Sequence, residues 1–267
     1  MNALTAVPLA DSPLARRNPT VKLALLMLVS LVAVFVVDPL TPTVLYLLAL
    51  TGVAASTRVT PRTLLVAHMP FVAFAIGVLV VNALARPGVV LWQAGMLRVT
   101  QEGLNVGAAL AARTLLIGVL AIGFLLSTDG VALMTSLHQN ARLSARVTYA
   151  ILGGYRMLQE MPREWAMIRN AHTVRADLRK GGQRPRGPRH LGGVVFTLLV
   201  VSVRKGERMA QALESRGLGL EPRTTWRQVS ITRADWLLTG TVLAAVALVL
   251  AGSAILGILD GPGALSS

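Results

Sequence analysis

The stretch WLLTGTVLAAVALVLAGSAILGIL, residues 236–259, runs for 24 residues without a single ionisable side chain. A helix needs about 20 predominantly apolar residues to cross the hydrocarbon core of a bilayer. A helix at the surface of a soluble protein would carry polar residues along one face, and this stretch has no such face. It reads as a membrane span. Four earlier stretches share its composition: 21–37, with Lys22 at its edge; 43–57, which is short; 64–85, containing His68, Pro70 and Asn82; and 105–127, containing Arg113. The whole-chain arithmetic agrees. The 267 residues are 54% hydrophobic and only 14% charged, against about 25% charged in an ordinary soluble domain. Cysteine is absent, which excludes disulfides, thiolate metal ligands and cysteine nucleophiles.

The charge is concentrated between the fourth and fifth spans. From Arg142 to Arg233 there are 18 Lys and Arg against 6 Asp and Glu, so this third of the chain holds +12 of the net +14. The first predicted turn, residues 38–42, has no Lys or Arg, whereas Arg16, Arg17 and Lys22 precede the first span and Arg58 and Arg62 follow the second. Arg86 and Arg98, between the third and fourth, are a mild exception. Positive charge marks cytoplasmic loops, which predicts a cytoplasmic N-terminus and basic module and an external C-terminus. The fold class is an all-α membrane protein with about five transmembrane helices. Its expected parts are an N-terminal membrane region, 1–127, a cytoplasmic module, 128–234, and a C-terminal span, 235–267.

Within the module, Thr128 and Asp129 can cap a helix over 131–140. From Leu143 the apolar positions Val147, Ile151, Tyr155, Leu158, Met161, Trp165 and Ile168 follow at intervals of 3 or 4, a single helical stripe. Gly153, Gly154 and Pro162 predict bends. Residues 181–189 read as a basic linker. A ten-residue apolar run, 194–203, is too short to span and continues into 204–217 as one helix, with Gly217 and Gly219 as terminators. The module thus holds about three amphipathic helices. A basic helical module suits anionic lipid heads and equally suits an acidic partner protein. Nucleic acid is disfavoured, because aromatic residues do not interleave the arginines.

Catalytic chemistry is hard to assemble. The span interiors contain no Asp or Glu, His68, His138, His172 and His190 form no pair at metal-ligand spacing, and no nucleotide-binding or hydrolase motif occurs. Arg113 inside a span is a functional candidate by default, but a long side chain near a helix end can also reach the interface. Two other classes stay open on composition: an integral membrane lipid-modifying enzyme, and a lipid-binding membrane scaffold.

The order of features resembles a known family, the T component, or transmembrane coupling subunit (EcfT/CbiQ-like), of energy-coupling-factor ABC importers. Arg17-Asn18-Pro19-Thr20-Val21-Lys22-Leu23 is similar to the family's Asn/Asp-Pro-x-x-Lys-Leu opening of the first helix. Ser215-Arg216-Gly217, after Glu214, and Val174-Arg175-Ala176 resemble its two Ala-Arg-Gly-like tripeptides at the ends of two coupling helices; the first-occurring triplet keeps only the arginine. The resemblance covers most of the chain. It implies a non-catalytic subunit of the cell membrane with no cofactor of its own, ATP being bound by two ABC-type ATPase subunits. Arg175 and Arg216 would contact acidic residues of those ATPases. The module would cradle a membrane-embedded substrate-binding S component, with Tyr155, Leu158 and Trp165 as candidate contacts, although a core stripe also explains their spacing. The cargo would be a vitamin or a transition metal ion such as cobalt.

Overall fold

The computed structural model describes residues 12–57, 59–94, 97–175, 187–220 and 228–257. Eight helices and one hairpin occur among them: α1 (Pro19–Val34), α2 (Leu40–Thr57), α3 (Pro61–Ala85), β1 (Val90–Ala94), β2 (Leu97–Thr100), α4 (Gln101–Ser127), α5 (Gly130–Asn140), α6 (Ala145–Arg175), α7 (Pro188–Ser215) and α8 (Arg233–Ile255). The chain divides into two compact units, Met1–Ser136 with Val229–Ser267, and Leu137–Gln228.

The first unit is built around α4, which packs against α1, α2 and α3. Its buried positions Leu116, Val119 and Ile122 meet Val29, Ala33 and Leu45 on one side and Val53 and Leu64 on another. Glycines on α4 bring backbones together: a Cβ on Gly103 would lie 2.5 Å from the Asn82 carbonyl of α3, and one on Gly107 would lie 3.0 Å from that of Leu79. Close approach through small residues is the usual basis of helix association in lipid. Most of the remaining large apolar side chains of α2, α3 and α8 point outward, including Leu65, Phe74, Val81, Leu237 and Leu248, as expected where lipid replaces water. Four described helices, α2, α3, α4 and α8, are long and apolar enough to cross a membrane. The fifth candidate, α1, is 16 residues long and falls short of that length.

The helices begin earlier than the apolar runs suggested, because caps and N-terminal prolines set their starts. Asn18 Oδ1 accepts from Thr20 N at 2.9 Å, with Pro19 in the first turn of α1. Asp38 Oδ1 accepts from Thr41 N at 2.6 Å, so α2 starts before Thr43 and reaches 18 residues. Thr100 caps α4 through Gly103 N, and Asp129 caps α5 through Ala132 N. Proline in the first turn loses no hydrogen bond that a helix would have made, which suits Pro19, Pro61 and Pro188. The α3–α4 connection differs from a plain loop. It forms an antiparallel hairpin in which Trp92 pairs with Val99 and Gln93 with Arg98.

Two charges assigned to span edges or interiors are drawn inward. Lys22 is buried, and its Nζ donates to the backbone O and Oγ of Ser127 at 2.7 and 3.2 Å. Arg113 Nη2 donates to the Val36 carbonyl at 2.7 Å. That contact satisfies an acceptor just past the end of α1 and gives Arg113 a structural role.

Candidate functional site

The second unit pairs two long helices, α6 with 31 residues and α7 with 28. The chain turns into α6 through Arg142, whose φ of 54° is left-handed, and His138 Nδ1 meets the Leu143 carbonyl at 2.6 Å across that turn. From there α6 continues as helix through Gly153, Gly154 and Pro162. The apolar half of α7, Val194 to Val203, and its polar half form one uninterrupted helix, as the sequence suggested.

Contacts along the pair fix its sense. A Cβ on Gly219, just past α7, would lie 3.3 Å from Arg146 Nε at the start of α6. Next along, Met209 packs against Gly153. Lys205 Nζ bridges Glu164 and Glu160, the latter at 3.2 Å. Near the other end His172 Nε2 meets Thr197 Oγ1 at 2.9 Å. Residue numbers rise on α6 as they fall on α7, so the helices are antiparallel. Hydrogen bonds to Glu164 and then Glu160 hold the Lys205 ammonium above its ordinary range, so it stays charged between two carboxylates one helical turn apart.

Arg175 and Arg216 therefore lie at opposite ends of the pair. Arg175 is the last described residue of α6, and Arg216 is the C-cap of α7. Residues 146 and 172 mark the two ends of contact, and 26 residues of α-helix span about 39 Å. Both arginines are exposed, and the side chain of Val174 is 86% exposed. Glu214 and Ser215 are exposed beside Arg216. Arg216 caps α7 at the end where helix carbonyls are left free and the dipole favours a cation. Ala176, the third residue of the first triplet, lies outside the described residues.

Gly217 has a definite conformational task. Its φ is +80°, its N–H bonds the Glu214 carbonyl at 2.9 Å, and Leu218 N bonds the Leu213 carbonyl at 2.9 Å. This is a Schellman ending with Gly217 in the left-handed position, and it sets where Arg216 projects. We expect Gly217→Ala to cost about 1–2 kcal/mol of local stability, since a side chain disfavours that region by this amount. Hydrogen exchange at residues 213–218 measures the loss.

The stripe from Leu143 to Ile168 is split by the structure. Ile168 is buried, and Tyr155, Met161 and Trp165 are half-buried. Val147 and Ile151 are exposed, and Leu158 is 63% exposed. The side of α6 that meets α7 carries Gly153, Glu160, Glu164 and His172 instead. Part of the apolar stripe is thus left uncovered by the unit's own residues. Sequence reading missed the Lys205 bridge; its signal was two glutamates spaced by four on one face of α6 and the one lysine of α7, set among arginines.

No group of three or more His, Asp or Glu placed to hold a metal ion occurs among the described residues. In the first unit a cavity of about 350 Å³ opens among α1, α2, α4 and α8, with Lys22 the only charged residue among the described residues that line it. No acid–base pair occurs among those described lining residues.

The family described as CbiQ, cobalt transport protein, matches residues 10–226. The chain is 29% identical over 248 residues to the energy-coupling factor transporter transmembrane protein EcfT of Heliobacterium modesticaldum, covering 88% of this chain and 91% of that one. It is 27% identical over 170 residues to the protein of the same name from Ruminiclostridium cellulolyticum, covering 60% of this chain and 63% of its relative, less than two thirds of that protein's length. With apolar helices of spanning length and a match over four fifths of its residues, the chain belongs to the CbiQ family and is a transmembrane T component of an energy-coupling-factor transporter.

Proposed function

We infer that the chain is the non-catalytic coupling subunit of an ABC-type importer for a vitamin or a transition metal ion. In this reading α6 and α7 are levers. Arg175 and Arg216, with Val174, Ala176, Glu214, Ser215 and Gly217 around them, engage acidic residues on two ABC-type ATPase subunits. Tyr155, Leu158 and Trp165 face a membrane-embedded substrate-binding S component. ATP is bound by the ATPases, and this chain carries no cofactor. The N-terminus and the α5–α7 module lie on the cytoplasmic side and the C-terminus lies outside, in keeping with the charge bias.

The observation that carries this reading is the placement of two exposed arginines at opposite ends of one antiparallel pair. With the two ends of contact along α6 about 39 Å apart, arginines beyond those ends suit two separate docking points better than one shared site. The exposed Val147, Ile151 and Leu158 add an uncovered apolar surface of the kind that marks a partner or the membrane.

Co-purification tests the assignment. The tagged chain, expressed with candidate ATPases and S component and extracted in mild detergent, should elute with two ATPase subunits per copy. Elution as a lone chain under conditions that keep the ATPases folded would overturn it.

A further inference from the structure

The chain leaves the first unit after Ser136 and returns to it at Val229. Both places are tied to one buried residue at the start of α1. Asn18 Oδ1, which already caps α1 through Thr20 N, also accepts from Ser136 Oγ at 2.8 Å. Ser136 is fully buried, and its Oγ lies 2.7 Å from Thr20 Oγ1. On the returning side Asn18 N donates to Asp235 Oδ1 at 2.9 Å. Asp235, 1% exposed, uses its other oxygen to accept from Thr232 N and Oγ1, each at 2.7 Å. Asn18 Nδ2 lies 3.4 and 3.5 Å from the carbonyls of Val229 and Ser230, contacts too long to add much. With two donors on Oδ1 and two carbonyls near Nδ2, the network fixes the orientation of the amide.

Capping a helix requires one local acceptor. It does not require buried bonds to points 118 and 217 residues away along the chain. Buried polar networks with every member satisfied hold their elements in one arrangement. We propose that Asn18, Ser136 and Asp235 form an anchor that pins together the departing and returning ends of the inserted segment 137–228. Motion imposed on that segment is then passed to the membrane helices instead of being absorbed by two loose attachments. Asn18 is a positioning residue for transport. This rests on the coupling reading above.

The experiment uses the complete transporter in proteoliposomes and compares wild type with Asn18→Ala and Ser136→Ala. Three quantities are read: ATPase subunits retained, ATP hydrolysed, and cargo taken up per ATP. Retention and hydrolysis should stay within about twofold of wild type, while uptake per ATP falls about tenfold for Asn18→Ala and less for Ser136→Ala, the range expected for loss of a coupling free energy. Unchanged uptake per ATP in Asn18→Ala would overturn the proposal, as would a fall that only follows the amount of folded protein. If Asn18→Ala does not fold, Ser136→Ala, which deletes one hydroxyl, decides by the same ratio. Failure of the coupling reading is distinct from either result, because the wild-type chain would then retain no ATPase.

Discussion

On the proposed coupling role, Arg216→Ala and Arg175→Ala should each abolish cargo uptake in the assembled transporter, while the chain still inserts and folds. Both residues are exposed, so substitution costs the fold little. The loss falls on the interface. A charge-assisted bond to a carboxylate contributes about 1.5–3 kcal/mol, and truncating one partner of a buried charge pair costs about 2–5 kcal/mol, because the other charge is left stranded. At about 1.4 kcal/mol per decade, affinity falls by tenfold to several thousandfold at each docking point. The two points are separated by most of the length of α6, so their effects on ATPase binding should add. Arg→Lys at either position should recover only part, since lysine keeps the charge but lacks the planar fork that meets a carboxylate at two points. Titrating purified ATPase against reconstituted variants measures the affinities, and radiolabelled uptake measures transport. Wild-type uptake in both alanine variants would sink the assignment.

Gly103→Ala should be the most damaging single methyl in the membrane unit. The new Cβ would lie 2.5 Å from the Asn82 carbonyl and 3.1 Å from Ala83 Cα. These are backbone atoms of the last turn of α3, facing the first turn of α4, and cannot swing aside as a side-chain tip would. Overpacking of this kind costs about 1–3 kcal/mol. Gly52 and Gly77 provide the internal control, because nothing lies within 4 Å of a Cβ at either position. Alanine there should be neutral or stabilising by about 0.5–1 kcal/mol, the ordinary gain in a helix interior. Thermal unfolding in one detergent compares the three variants directly, and equal midpoints for all of them would show that α3 and α4 can separate without loss.

Much of this architecture was legible in the residues. Apolar runs with few or no charges predicted the membrane helices, and the glycines after Arg216 predicted where α7 stops. Boundaries drifted where the apolar run was taken as the helix: α1, α2 and α3 start at capping or proline positions that hydropathy does not register. The 90–100 hairpin was missed because its residues combine apolar and basic side chains over too short a stretch to show a period. The positions of Arg175 in the last described turn of α6 and Arg216 at the end of α7 follow from local signals. The Asn18 network does not, since nothing near Asn18 in the sequence points to Ser136 or Asp235. For the same reason the stripe on α6 was read as one face, although α7 meets a neighbouring one; periodicity reveals an apolar face but not which neighbour will cover it.

The bond between Asn18 and Asp235 also sets an order for biogenesis. Its two ends are 217 residues apart, and at about 5–20 residues per second a ribosome takes roughly 10–40 s to deliver the second after the first. Throughout that interval the backbone amide at the head of α1 lacks the carboxylate it bonds in the finished fold. The head of α1 therefore completes its hydrogen bonding only once α8 has begun, and a nascent chain halted before residue 235 leaves that end of α1 unfinished.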